Sequence, residues 1–196
     1  MSLAAVPDQQ RKDARDNRAA ILDAARELFA DSADVAMCQV ARRAGVGQGT
    51  LYRNFPSRGA LAAEIVDVHV DRIAALAGEH AGDPDAFFVL LRSLVDGMVR
   101  LYGLALLARS DAETDEQLKR GRQRIGELLE EPLRDAKAAG TLRRDVSIDD
   151  VFLMFAMARG AMDGLADRDA RSAVAHRVLA LILAGVEQPA AVAASR

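Results

Sequence analysis

The chain has 196 residues, of which 51% are hydrophobic and 28% are charged, a balance typical of a globular protein. It contains 39 alanines but only six phenylalanines and two tyrosines, which argues against an all-β fold. A single cysteine excludes an intrachain disulfide and suits the cytoplasm, no apolar run is long enough to cross a membrane, and the net charge of −3 argues against non-specific coating of nucleic acid.

The first third of the chain is expected to hold three short helices and the start of a long one. Residues 1–15 are polar and aperiodic, so a flexible arm is predicted there. An apolar stripe from Ile21 to Phe29 predicts a helix from Asp16 to about Ala30. Two short helices follow over residues 36–43 and 48–54. Ser57 is expected to cap a long helix that ends near Gly82.

The remainder of the chain is predicted to form five further helices. Asp83 and Pro84 open a helix to about residue 102 that is apolar nearly all round, so it is expected to be buried. After a short segment at 104–109, Thr114 with Gln117 predicts a capping box for a helix to residue 139, which Pro132 should kink or split. Ser147 is expected to open a helix over 148–165, and a last helix covers 169–185. The whole chain then contains nine helices and no strand.

Residues 36–55 carry the most informative pattern, which reads as helix, glycine-containing turn and helix. Gly45 permits a tight turn, and the small side chains of Ala41 and Ala44 suit a close helix contact. The stretch 35–63 contains four arginines and no acid, so this part of the surface should be positive. The arrangement predicts a helix-turn-helix whose second helix enters the major groove of DNA.

The same residues resemble the N-terminal head of the tetracycline-repressor (TetR) family of bacterial regulators. The shared pattern is met by these residues: Ile21, Leu22, Ala24, Ala25, Leu28, Phe29, Val40, Ala41, Ala44, Gly45, Val46, Gly49, Thr50, Leu51, Tyr52, Phe55, Ser57 and Leu61. Departures are Ala36 and Gly47 at cap positions, Arg58 in place of a lysine, and Gly59 in place of an acid. The missing caps are expected to make the head less stable.

The resemblance implies an all-α protein with a three-helix helix-turn-helix head and a six-helix bundle for ligand binding and dimerisation. The expected domains are an arm (1–15), a DNA-binding head (16–56), a connecting helix (57–82), a ligand-binding and dimerisation domain (83–188) and a flexible tail (189–196). The implied function is a cytoplasmic transcriptional regulator, most readily a repressor that binds a palindromic operator as a homodimer and is released by a small molecule. An activator, or a helical ligand-binding or interaction protein without DNA binding, stays open as an alternative.

Particular residues are assigned to each expected role. Base edges are assigned to Gln48, Thr50 and Arg53, phosphates to Tyr52, Arg58 and Arg42, and Asn54 offers a further polar contact to DNA. A mostly apolar effector is expected against Phe88, Leu91, Met98, Tyr102, Met154 and Met157. The dimer interface is expected at Ala158, Ala161, Gly164, Val174, Val178 and Leu181.

Other chemistry finds little support in the sequence. No serine, histidine and acid are spaced as a catalytic triad, and no glycine-rich loop follows a strand, so no enzyme is expected. The histidines are scattered, so neither a metal site nor a cofactor is expected. Cys38 lies in the first turn of a short helix, where a redox role is conceivable, but a small packing residue is the favoured interpretation.

Overall fold

The computed structural model describes residues 8–30 and 32–186, and all regular secondary structure in these ranges is helical. The nine helices in the described part are α1 (Asp8–Phe29), α2 (Met37–Arg43), α3 (Gln48–Asn54), α4 (Arg58–Glu79), α5 (Ala86–Arg100), α6 (Tyr102–Leu107), α7 (Ala112–Ala139), α8 (Ile148–Met162) and α9 (Arg168–Val186). The predicted all-α fold and its helix count are confirmed. None of the helices in these ranges is long and apolar enough to be a membrane span.

The chain divides into two compact units, and each unit is built from two separate stretches of the sequence. The first contains the residues up to Val66 together with Leu101–Leu118, and the second contains Asp67–Arg100 and the residues from Lys119 onward. Helix α6 and the start of α7 were expected to belong to the bundle, but they pack with the head. This assignment to the first unit was not predictable from the sequence, because the apolar periodicity of both segments would be the same in either unit.

The core of the first unit is built from one apolar face of each of its helices. Ile21, Ala25 and Phe29 of α1 meet Leu51 of α3 and Leu104 of α6, and all five are at most 1% exposed. The i, i+4, i+8 spacing in α1 places its three side chains on one side of the helix. The predicted stripe of α1 therefore faces the core of the head.

Several helix starts differ from the sequence expectation. Helix α5 begins at Ala86 and not at Pro84, and α6 begins at Tyr102 and not at Leu104. Helix α1 begins at Asp8, so residues 8–15 extend the helix, whereas a flexible arm was predicted there. Residues 1–7, the rest of that arm, and 189–196, the predicted tail, lie outside the described residues. Helix α7 begins at Ala112, and its cap is Asp111: the Asp111 Oδ1 atom accepts a hydrogen bond of 2.7 Å from the Thr114 N–H. The capping box predicted at Thr114 with Gln117 is wrong, because an earlier carboxylate takes the position.

We expect Asp111→Ala to lower the free energy of unfolding by about 1 kcal/mol at neutral pH, through loss of this cap. The Thr114 N–H holds the pKa of Asp111 below its ordinary 3.8, the Thr114 side chain acts in the same direction, and the charge of Arg58 adds a smaller effect. A depressed carboxylate pKa stabilises the fold above the unfolded pKa. The difference between wild type and variant, measured by chemical unfolding, should therefore shrink as the pH falls below about 3.8.

The second unit is organised around α5, α8 and α9. Helix α5 buries residues on several sides, including Phe87, Leu90 and Leu91, as its all-round apolar sequence predicts. Ser147 caps α8 as expected, since its Oγ accepts a hydrogen bond of 3.1 Å from the Asp150 N–H. Helix α7 continues through Pro132 as one element, so the helix is not split there.

The turn between α8 and α9 is fixed by a buried cation. Arg171 is 1% exposed, and its Nη1 donates to the carbonyl oxygens of Leu165 and Ala166 at 3.0 and 2.9 Å. These carbonyls follow the end of α8, where backbone acceptors lack helical partners. Arg171 therefore links the first turns of α9 to the turn that follows α8.

Candidate nucleic-acid interface

Helices α2 and α3 form the predicted helix-turn-helix. The turn between Arg43 and Gln48 includes Gly45 at a φ of +70°, a left-handed conformation that a residue with a side chain adopts only at a cost. Val46 donates its N–H to the Ala41 carbonyl oxygen at 3.0 Å and closes the turn. Leu51 and Phe55, at 0% and 1% exposure, anchor α3 to the core and leave its other face outward.

The outward face of α3 carries the side chains predicted to meet DNA. Gln48 and Arg53 are exposed, Tyr52 is 48% exposed, and Thr50 and Asn54 are half-buried. The glycines at 47 and 49 have nothing within 4 Å of a Cβ built on them, so the first turn of α3 is open on both sides. These side chains lie on one short helix at a positive, acid-free stretch of sequence, as a recognition helix requires.

Arg53 is held against its own helix in a defined position. Its Nε donates to the Gly49 carbonyl oxygen at 3.0 Å and its Nη2 donates to the Thr50 Oγ1 at 3.1 Å. Asn54 Nδ2 donates to the Thr50 carbonyl oxygen at 2.8 Å. Since a guanidinium carries five N–H donors, the Nη1 pair and the second Nη2 hydrogen remain for another acceptor. Arg53 is thus pre-positioned with a free edge.

The other arginines of the head divide into two groups. Arg43 donates from Nε to Glu27 Oε2 at 2.9 Å, so it ties α2 to α1. Arg42 is exposed, and it forms no ion pair with the residues that the structure describes. Arg58 is half-buried at the start of α4, close enough to Asp111 for its charge to lower the pKa of that carboxyl. The structure therefore leaves Arg42 available to a phosphate.

Some residues that organise this surface were missed in the sequence. Arg18 of α1 lies 4.5 Å above the centre of the Phe55 ring and donates to Glu64 Oε2 at 2.8 Å, joining α1 to α4 beside the end of α3. Gln39 Oε1 accepts from the Ala36 N–H at 2.7 Å, so the start of α2 has a partner although Ala36 offers no side chain. A capping Gln at the third helical position is a known pattern that the sequence already contained.

The start of α4 is supported by a carboxylate from the start of α7. Ser57 Oγ accepts from the Ala60 N–H at 3.0 Å, as predicted for a cap, and donates to Glu113 Oε1 at 2.9 Å. A Cβ on Gly59 would lie 2.0 Å from Glu113 Cδ, so the glycine makes room for this side chain. The acid that the family pattern carries at position 59 is therefore replaced by one reaching in from position 113.

The predicted effector residues are not all interior. Phe88, Leu91 and Met154 are buried in the second unit, and Met98 is half-buried there. Tyr102 is 6% exposed and belongs to the first unit. Met157 is 48% exposed on α8, so its assignment to an interior wall is wrong: it is one turn of helix beyond Leu153, on the same outward face.

Only some of the residues predicted for the dimer interface lie on the surface of the protein. Ala158 is 2% exposed and buried within its own protomer, so its assignment to the interface is wrong. Gly164 is exposed, but its φ of +83° shows that it serves the turn after α8. Ala161 and Leu181 are exposed, and Val174 and Val178 are half-buried. An outward, mostly apolar face, here called the α8–α9 face, is formed by Leu153, Ala156, Met157, Gly160, Ala161, Ala173, Val174, Val178, Ala180, Leu181 and Ala184, and the exposed Arg177 of α9 lies among them.

Two other sequence hypotheses concerned single groups. Cys38 is an exposed free thiol on α2, so it does not pack under the turn as favoured in the sequence analysis. A redox role for it has no further support. No group of histidine, cysteine and acidic side chains within the described residues is arranged to hold a metal ion.

A helix-turn-helix with an exposed, acid-free second helix, followed by further helices, defines a regulator with a DNA-binding head. Two family models agree: "Bacterial regulatory proteins, tetR family" matches residues 21–65, and "Transcriptional regulator SbtR-like, C-terminal domain" matches residues 83–188. The chain belongs to the tetR family. As a member of this family it is a DNA-binding transcriptional regulator and not an enzyme.

The individual proteins that this chain resembles are also described as transcriptional regulators. A TetR transcription regulatory protein from Mycobacterium vanbaalenii is 32% identical, with 91% of this chain and 99% of that chain covered and a TM-score of 0.62. The TetR regulator SCO0520 from Streptomyces coelicolor is 29% identical, with 88% and 99% covered and a TM-score of 0.64. The HTH-type transcriptional regulator SAUSA300_2515 from Staphylococcus aureus is 35% identical over 63 residues, which are 31% of this chain. The chain spans about a third of the length of the curated relatives that it matches, 34% in that case.

Proposed function

We propose that this regulator is a cytoplasmic repressor that binds a palindromic operator as a homodimer and is released by a small, mostly apolar molecule. The observation that carries the DNA-binding part is the short helix α3, which exposes Gln48 and Arg53 and holds Thr50 hydrogen-bonded to Arg53, without an acid in the surrounding sequence. A two-fold dimer presents two such helices, and a palindrome supplies two matching half-sites. The dimer part is supported by the α8–α9 face.

The geometry of Arg53 favours a guanine as its target. Its Nη1 and Nη2 edge is free while Nε is held by the Gly49 carbonyl oxygen, and this edge matches the O6 and N7 acceptors of guanine in the major groove. Gln48 and Thr50 flank it and read neighbouring bases. Tyr52, Arg42 and Arg58 meet phosphates, which fix the register of α3 without selecting a sequence, and Asn54 offers a further polar contact.

We expect Arg53→Ala and Tyr52→Phe to weaken operator binding in different ways. Arg53→Ala should cost about 1–3 kcal/mol per half-site and relax the preference at one base pair, because it removes a base contact. Tyr52→Phe should cost about 1 kcal/mol per half-site on every sequence, because it removes one hydrogen bond to a phosphate. Affinities are measured by fluorescence anisotropy on an operator and on its single-base variants.

Arg43→Ala serves as the matched control, since Arg43 pairs with Glu27 and is not placed on DNA. Its affinity should stay close to that of the wild type on all duplexes. The division of roles is refuted if Arg53→Ala loses the same factor on every base variant, as a phosphate contact would.

The sign of regulation and the effector are tested together. The operator is sought as an inverted repeat in the DNA around the gene, and a reporter is placed under its control. Deletion of the regulator should raise the reporter signal, because a bound dimer blocks transcription; a fall in the signal would establish an activator instead. A molecule that binds the second unit should lower operator affinity, and the operator should weaken binding of that molecule by the same factor.

A further inference from the structure

Three nitrogen-bearing side chains lie at the contact between α4 and α5 in the second unit, and none of them has a role in the proposed DNA binding. The half-buried ring of His69 lies directly against the backbone of α5: a Cβ built on Gly97 would be 2.0 Å from His69 Cε1 and 2.3 Å from Nε2. Only a glycine at position 97 admits the imidazole there. The polar edge of His69 is therefore held at a fixed place between the two helices.

Two arginines converge on this contact. Arg72 follows His69 by three residues on α4, and Arg100 follows Gly97 by three residues on α5. Residues three apart share a helix face, and helical side chains lean toward the N-terminus of their helix. Arg72 therefore lies one turn from His69 on the same side of α4, and Arg100 lies one turn from Gly97 on the same side of α5.

The electrostatics agree with this convergence. Burial, followed by the charges of Arg100 and Arg72, lowers the pKa of His69 to about 4, so the ring is neutral at physiological pH. Burial and the charge of Arg72 also lower the pKa of Arg100, while Asp96 opposes the shift. Two like charges near each other cost free energy, and an anion between them would remove that cost.

The charge of Asp96 acts favourably on Arg100, but no described side chain pairs directly with either arginine. Within residues 12–30 and 32–186, Arg72 and Arg100 form no ion pair, and the His69 ring has no hydrogen-bond partner. The neighbouring acid, Asp96, is already engaged, since its Oδ1 lies 3.1 Å from His176 Nε2 on α9. The exposed guanidinium groups and the imidazole thus present donors without an acceptor.

We propose that His69, Arg72 and Arg100 form a binding site for an anionic group, a carboxylate or a phosphate, on the small molecule that this regulator senses. The proposal rests on the ligand-released repressor described above and names the chemistry of its ligand. The two arginines supply charge and paired donors, which suit either anion. The neutral imidazole supplies one further N–H from the side of the helix contact.

The test measures binding to the full chain without DNA, at constant ionic strength. Three probes are compared by titration calorimetry and thermal unfolding: inorganic phosphate, sodium decanoate, and decanol as the uncharged counterpart of decanoate. At least one anion should bind and raise the unfolding temperature, with decanoate binding more tightly than decanol if the group is a carboxylate. Binding of phosphate alone would assign the site to phosphorylated ligands.

Arg72→Gln and Arg100→Gln should each weaken binding of that anion by about 10-fold or more, because each removes a charged hydrogen-bond donor. Arg92→Gln is the matched control, since Arg92 is an exposed arginine on the same helix α5, and it should leave binding unchanged. His69→Phe keeps the ring that packs on Gly97 and removes its nitrogens, so it should also weaken binding with the fold intact. Equal binding by wild type and the Arg72→Gln, Arg100→Gln double variant overturns the site.

A separate measurement of operator binding distinguishes failure of the anion site from failure of the proposed repressor function. If the anion binds through the arginines but leaves operator affinity unchanged, the site stands and its role as an effector site fails. If decanoate releases the operator equally from wild type and the double variant, the ligand-released repressor stands and the anion site fails.

Discussion

Ala161→Arg should convert the protein to a monomer at micromolar concentration and weaken operator binding by about 100-fold or more. Ala161 is exposed on α8 within the α8–α9 face, which also carries Leu153 and Leu181 at 57% and 58% exposure. A large, mostly apolar face of this kind marks an interaction surface, and an arginine placed at position 161 would be buried there without a partner charge. Loss of pairing then removes the gain in affinity that comes from two linked heads.

The experiment combines light scattering with anisotropy on the operator. Ala138→Arg, an exposed alanine in the last turn of α7, introduces the same charge outside this face and should remain dimeric. Both variants should unfold at temperatures close to one another once dissociation is accounted for. A wild-type chain that is monomeric at micromolar concentration, or an Ala161→Arg variant that is still a dimer, would show that this face does not join two copies.

The sequence is a reliable guide where a feature depends on residues close together in the chain. Gly45, Leu51 and Phe55 fix the turn and the inner side of α3 through local spacing, so the helix-turn-helix was predicted with the bounds of α3 unchanged. Ser57 and Ser147 cap their helices through bonds to residues three positions later. Such contacts can be predicted because both partners lie within a few residues of each other in the sequence.

Features that depend on distant partners were not predictable in this way. Glu113 fills the space above Gly59 and reaches Ser57, 56 positions earlier in the chain. Met157 and Ala158 are adjacent residues of similar apolarity, yet one faces outward and the other is buried, because a helix turns by about 100° per residue. Their roles could be assigned correctly only with knowledge of which side of α8 packs against the rest of the second unit.

The arrangement of α6 is the clearest case of such a distant dependence. Gly103 lies in α6, and a Cβ built on it would be 2.0 Å from the Phe29 carbonyl oxygen and 2.6 Å from the Ser32 carbonyl oxygen. Both obstacles are backbone atoms at and after the end of α1, so neither moves aside as a flexible side chain would. In the sequence this glycine falls between the helix predicted to end near residue 102 and the short segment at 104–109, with nothing to indicate a close approach to α1.

Gly103→Ala should therefore lower the free energy of unfolding by about 2–4 kcal/mol, because α6 must move away from α1 and disturb the core around Phe29. Gly78→Ala is the matched control: Gly78 is also helical, its added Cβ would meet nothing within 4 Å, and the change should raise stability by about 0.5–1 kcal/mol. Denaturant unfolding at fixed protein concentration gives both values. Since α1 supports the head that carries α3, Gly103→Ala should also weaken operator binding, whereas Gly78→Ala should not. A Gly103→Ala variant as stable as the wild type would mean that α6 does not press on the end of α1 in solution.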